Sequence, residues 1–320
     1  MEFCVLGELT VRTSAGSITV AGPRLRALLG VLLIESGRTV SADRLIEAAW
    51  DGRPPPAAAA ALPSYVMRLR RALGPEAGAR VVTRHGGYAA EVAPDELDLA
   101  RFESACARAI ERAAGGEWAA VSELLASALT LWRGDPLANV PVGTALRDEL
   151  DALTEKRLWA QHLRIDADLR LGRHQELIAE LQLATATHPL RETLREQLMV
   201  ALVRAGRQAE ALEVYHSTRR LLVQELGVEP GAPLRELHRR ILTADPSLAP
   251  VGRERLAQPQ IIAAARAAPE PDLVLAGLAT QLCDWSYWQL PESARRLFRL
   301  LGVHPGPGAS RRPSPAWTER

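Results

Sequence analysis

Lysine is almost missing from this chain: of the 39 basic residues only Lys156 is a lysine. No glycine-rich loop precedes it, and no G-x-x-x-x-G-K-[ST] motif occurs, which excludes a phosphate-loop nucleotide switch. Cysteine is scarce too. Cys4, Cys106 and Cys283 are odd in number and far apart, so neither a disulfide framework nor a metal cluster is expected, and a reducing compartment suits them. No apolar run reaches the roughly 18 residues of a membrane span, and the N-terminus carries no basic-then-apolar leader, so a cytoplasmic protein without a membrane partner is expected. The motifs H-E-x-x-H, C-x-x-C and G-x-S-x-G and the dinucleotide fingerprint are also absent. His162, His174, His188 and His216 lack metal-ligand spacing. The expectation is a protein that is not an enzyme and holds no cofactor or metal.

What is present is a large apolar fraction and an uneven charge. At 320 residues and 47% hydrophobic, the chain can bury more than one domain's worth of core. Residues 1–92 carry 11 arginines against 8 carboxylates, residues 93–250 carry 19 basic groups against 24 acidic ones, and residues 251–320 carry 9 against 6. Between Arg24 and Arg84 the balance is 10 to 5. A basic head on an acidic body points to an anionic partner for the head.

The head reads as a sheet, then helices, then a hairpin. FCVL (Phe3–Leu6), ELTVR (Glu8–Arg12) and SITV (Ser17–Val20) are short β-rich runs separated by turn residues. After Gly22-Pro23, the leucines 25, 28, 29, 32 and 33 share one helical face. Ser41 is a suitable N-cap for ADRLIEAAW, which ends at Trp50 before Asp51-Gly52. PPPAAAAALPSYVMRLRRALG (Pro54–Gly74) follows. There Val66, Leu69 and Leu73 face a core at i, i+3 and i+7, while Tyr65, Arg68, Arg70 and Arg71 form a basic, partly aromatic face. Arginine forks match phosphates and guanine edges, so this is the candidate reader of a DNA major groove. ARVVTRHGGYAAEV (Ala79–Val92) then reads strand, turn, strand, with Arg80, Arg84 and His85 on or near it. Helix-turn-helix followed by a basic hairpin is the order of a winged helix.

With SADRLIEAAW, SYVMRLRRALG and VVTRHGGY in that order, the head resembles the OmpR-type winged helix, and more narrowly that of the actinobacterial antibiotic regulatory protein (SARP) family. The resemblance implies that Ser64, Tyr65, Arg68, Arg70 and Arg71 lie in or beside the major groove, with Arg84, His85 and Tyr88 at the wing. Pro63 departs from the family pattern. An interior proline removes a hydrogen bond and clashes one turn back, at a cost of about 3 kcal/mol. The helix is expected either to start near Pro63, as a first-turn residue, or to be kinked there.

From Leu99 the pattern is almost wholly helical. LGRHQELIAEL at Leu171 and AGRQAEALEVY at Ala205 repeat at an offset of 34 residues, the tetratricopeptide period. DLARFE (Asp98–Glu103), LWRGDPL (Leu131–Leu137) and LLVQELGVEPGAPLRELHRRIL (Leu221–Leu242) resemble the bacterial transcriptional activation domain of the same regulators. The fold class expected is mainly α with a small β component. It divides into a winged helix over 1–94, a helical-repeat domain over 98–245, a linker over 246–272, a short helical segment over 273–303 and a disordered tail over 304–320. The resemblance implies an activator of a secondary-metabolite gene cluster, acting as a homodimer on repeated promoter half-sites in double-stranded DNA. It also implies contact with the sigma factor or alpha subunit of RNA polymerase in the nucleoid. The alternative is a protein-interaction adaptor whose proline-interrupted head has lost DNA binding. Salt-dependent affinity for duplex DNA separates the two.

Overall fold

The computed structural model describes residues 1–248 apart from 15 and 142, with no side chain described at 144 and 145. Of the linker expected over 246–272 only Pro246–Leu248 is described, a 3-10 turn with Leu248 buried; the rest of it, the short helical segment, the tail and Cys283 lie outside the described residues.

Three short strands, β1 (Glu2–Cys4), β2 (Thr10–Thr13) and β3 (Gly16–Ile18), form an antiparallel sheet in that order. The β-rich runs at the N-terminus dictate it, each too short to stand without a partner layer. Helix α1 (Pro23–Ile34) places proline in its first turn and buries nearly every residue from Leu25 to Leu33. After β4 (Val40–Ser41), Ser41 Oγ accepts the Arg44 N–H at 3.3 Å and caps α2 (Ala42–Trp50).

Helix α3 (Ala58–Ala79) does not start near Pro63, nor does it leave helical geometry there. It begins five residues earlier and keeps helical dihedrals from Ala58 to Leu73, departing from them only at Gly74 (φ 78°, ψ 178°). The reason lies in the position of the proline. Pro63 and Ala59, whose carbonyl loses its amide partner, are both on the solvent side, so water can satisfy the freed oxygen. Strands β5 (Val81–Arg84) and β6 (Gly87–Ala90) make the hairpin, and β4 pairs with β6 to complete a three-stranded antiparallel sheet. A Cβ on Gly87 would overlap the Val40 carbonyl oxygen, so glycine is what lets β4 approach.

The body is helical: α4 (Asp98–Ala114), α5 (Trp118–Leu129), α6 (Thr144–Arg170), α7 (His174–Thr187), α8 (Glu192–Arg204), α9 (Gln208–Leu226) and α10 (Ala232–Leu242). Gly172 (φ 81°) and Gly206 (φ 77°) close α6 and α8 in the same left-handed conformation, as the 34-residue repeat requires. The α7–α8 and α9–α10 hairpins follow them.

One continuous core runs from Phe3 through α1–α3 and on to Ala167 of α6, and a second is enclosed by the end of α6 and α7–α10. The segment after α5 lies along the N-terminal strands. Arg133 N–H donates to Leu6 O at 2.8 Å, Leu137 N–H to Val5 O at 3.0 Å, and Asn139 Oδ1 accepts the Leu9 N–H at 2.8 Å. Asp98, fully buried at the start of α4, accepts the Val5 N–H at 2.9 Å and the Leu6 N–H at 3.2 Å and is ion-paired with Arg133. Burial pushes its carboxyl above the ordinary carboxylate range, against the pull of those amides and of Arg133.

Candidate nucleic-acid interface

The periodicity of α3 splits it into two faces. Ala58, Leu62, Val66, Leu69 and Leu73 are buried against α1 and α2, where their apolar area leaves water. Opposite them, Ala59, Ala60, Pro63, Ser64, Met67, Arg68, Arg71 and Ala72 form one exposed stripe. Of the predicted reader residues, Ser64, Arg68 and Arg71 stand on this stripe. Met67, 49% exposed, stands between them and is not among the residues predicted from the basic, partly aromatic face.

Tyr65 and Arg70 point sideways. Arg70 Nε donates to Val81 O at 2.8 Å and its Nη2 donates to Thr83 Oγ1 at 3.0 Å, so it braces α3 against β5 of the wing. Between them opens a groove of about 730 Å3 lined by Met67, Arg70 and Arg71 on one side and Val81, Val82 and Thr83 on the other. Tyr65 is half-buried, its ring edge-on to Trp50 at 5.3 Å between centroids.

At the wing, His85 and Gly86 form the two-residue turn between β5 and β6, and His85 is exposed. Arg84 is exposed and ion-paired with Glu91. Such a surface pair is worth about 0–1 kcal/mol, so a phosphate could displace the carboxylate at little cost. Tyr88 is half-buried opposite Thr83 and Val40 and belongs to the sheet as much as to its surface. The structure thus brings Ser64, Arg68, Arg71, Arg84 and His85 to the surface of the head and gives Tyr65, Arg70 and Tyr88 internal partners. Among the described residues no cluster of three or more His, Cys, Asp or Glu is arranged to hold a metal ion. No described helix is long and apolar enough to cross a membrane.

A three-helix head with an anchored third helix and an antiparallel wing is a winged-helix DNA-binding fold, here continuous with a helical-repeat body. Residues 19–90 match the family model "Transcriptional regulatory protein, C terminal" and residues 97–242 match "Bacterial transcriptional activator domain". The chain is 36% identical over 256 residues to the regulatory protein DnrI of Streptomyces peucetius, covering 78% of this chain and 94% of that one. It is 45% identical over 250 residues to the regulatory protein AfsR of Streptomyces coelicolor, covering 78% of this chain but only 25% of that protein. A solved structure of Mycobacterium tuberculosis EmbR in complex with a low-affinity phosphopeptide is similar at TM-score 0.73 and 33% identity, over 77% of this chain and 65% of that one. The chain belongs to the SARP family of transcriptional regulators.

Proposed function

We propose that this protein is a sequence-specific transcriptional activator of a secondary-metabolite gene cluster. The α3 stripe enters the major groove of promoter DNA and the wing tip lies on the adjacent backbone. One observation carries the reading: α3 is held by its apolar face to the core while the opposite face presents Ser64, Met67, Arg68 and Arg71 to solvent, and neither arginine has a carboxylate partner among the described residues. In this reading Arg68 and Arg71 contact guanine edges or phosphates. Ser64 donates to the backbone or a base edge, and the small residues Ala60 and Pro63 allow close approach to thymine methyls. Arg84 and His85 contact phosphates. Arg70 and Tyr88 keep helix and wing in register. The helical body contacts RNA polymerase, a reading that the matched "Bacterial transcriptional activator domain" supports, and in this proposal it also holds a dimer on repeated half-sites.

The test is fluorescence anisotropy of the full chain on the duplex upstream of its own coding sequence and on a scrambled duplex, over a range of salt concentrations. Tight promoter binding, with weaker and steeply salt-dependent binding to the scramble, is expected. Equal weak binding to both would remove the activator reading and turn attention to a protein partner of the repeats.

A further inference from the structure

Next to the α3 stripe, with its Arg68 and Arg71, the structure holds a third arginine that the positions of the reader helix do not reveal. Arg24 stands in the first turn of α1, exposed, and its Nη1 donates to the Tyr65 hydroxyl at 3.0 Å. Its guanidinium lies 5.4 Å from the Trp50 ring centroid and 6.0 Å from that of Tyr65. Arg68 lies over the same tyrosine at 5.5 Å. Two cations therefore lie against one tyrosine, which is itself propped edge-on against Trp50. Arg12, Arg44, Arg80 and Arg84 in the same head all have a carboxylate partner. Arg24 and Arg68 have none among the described residues, as is also true of Arg26, Arg38, Arg53, Arg70 and Arg71; what distinguishes the pair is the shared tyrosine. Two exposed guanidiniums without a carboxylate partner, both held against the same tyrosine, offer free N–H donors to an anion.

We propose that Arg24 is a phosphate-binding residue of the DNA interface, paired with Arg68 as a clamp on the backbone beside the groove that α3 enters. Tyr65 and Trp50 act as positioning residues that hold the two forks in place before DNA arrives. This rests on the DNA-binding reading above and adds a contact from α1 to it. A rigid fork loses less conformational freedom on binding than a free arginine does, which is the advantage of holding it on aromatic rings. The chemistry is blind to base identity, since phosphate contacts carry no sequence information.

The clamp is tested with the full chain by anisotropy on the promoter duplex and the scrambled duplex. Arg24→Ala should weaken both by the same factor, about ten-fold, and flatten the slope of log K against log salt by about 0.9, the value of one phosphate contact. Arg24→Lys should restore the slope while recovering only part of the affinity. Tyr65→Phe, which keeps the ring and removes the hydroxyl, should cost about three-fold with the slope unchanged. Thermal unfolding of Arg24→Ala should match that of the wild type, because the side chain is exposed. Unaltered affinity and slope in Arg24→Ala, with the wild type binding the promoter specifically, would overturn the clamp and leave the activator reading intact. So would a loss confined to the promoter duplex, or a lower melting temperature with an unchanged slope, since a base reader or a purely structural tie would produce those. A wild-type protein with no salt-dependent affinity for either duplex removes the activator reading, and the clamp with it.

Discussion

Arg70 and Arg71 are adjacent in the chain, yet one helical step of about 100° gives them different work. Arg71 projects from the exposed stripe, while Arg70 turns to β5 and spends its donors on Val81 and Thr83. Arg71→Ala should therefore leave the melting temperature unchanged and weaken promoter binding by about 1–3 kcal/mol. Arg70→Ala should lower folding stability by about 1–2 kcal/mol, for the loss of two partly exposed charge-assisted hydrogen bonds. Any loss of DNA affinity in that variant would come through a loosened wing. Paired melting and anisotropy measurements on both variants check the division, and identical behaviour would contradict it. In the repeat region Glu196 on α8 makes a different point. It is partly buried, and burial together with the neighbouring Glu192 pushes its carboxyl up to about 7 from an ordinary 4.5. A raised acid binds more protons in the fold than in the unfolded chain, so its contribution to stability declines as pH rises from 4.5 through 7. Glu196→Gln should be more stable than the wild type by about 1–3 kcal/mol at pH 8. That gain should vanish near pH 4.5, as denaturant melts at the two pH values would show.

At the scale of elements, local sequence was a good guide wherever a rule depends on neighbours a few residues apart. The Ser41 cap, the leucine face of α1 and the 34-residue spacing of Gly172 and Gly206 became structure where their patterns placed them, while the β-rich runs before Gly22 became strands shifted by one or two residues from the runs themselves. The start of α3 was not legible. Propensity puts proline at a helix beginning, but tertiary burial of Ala58 and Leu62 extends the helix one turn and a half ahead of it. Burial outweighs the lost hydrogen bond because the bond is lost on the wet side. This argument has a direct consequence for Pro63→Ala: regaining the amide donor should stabilise the protein by about 1–3 kcal/mol without loss of promoter affinity, read from urea melts and anisotropy. A variant less stable than the wild type would mean that proline's restriction of the unfolded chain outweighs its cost in the helix. The candidate site was legible in the same graded way. The basic stripe could be read from one helix, but the assignment of Arg70 to the wing, of Tyr65 to Trp50, and of Arg24 to Tyr65 depends on pairs up to 41 residues apart.

For the whole molecule, the longest-range contacts decide how a head bound to DNA is joined to a body. No periodicity in the sequence could announce that Asp98 reaches Val5 or that Asn139 reaches Leu9, separations of 93 and 130 residues. These contacts run the core across the junction, so the family-model boundary between residues 90 and 97 divides the sequence without dividing the packing. Asp98 is central to it, being a fully buried carboxylate that two backbone amides and Arg133 satisfy together. Asp98→Ala leaves two buried N–H groups without an acceptor and should destabilise the protein by about 3–5 kcal/mol. Arg133→Ala should be milder at low pH. Without its cation the buried carboxylate becomes costlier to ionise, so its folded-state value rises further above the ordinary 3.8. The fold then holds a proton that the unfolded chain gives up, and stability falls as pH climbs from about 4 toward neutrality. The deficit of Arg133→Ala against the wild type should thus be largest at pH 7 and shrink near pH 4, in urea melts followed by tryptophan fluorescence. Because the core is continuous, the same melts followed by promoter binding should give the same midpoint. Two separate midpoints would mean that head and body unfold independently and that Asp98 ties together only its immediate neighbours.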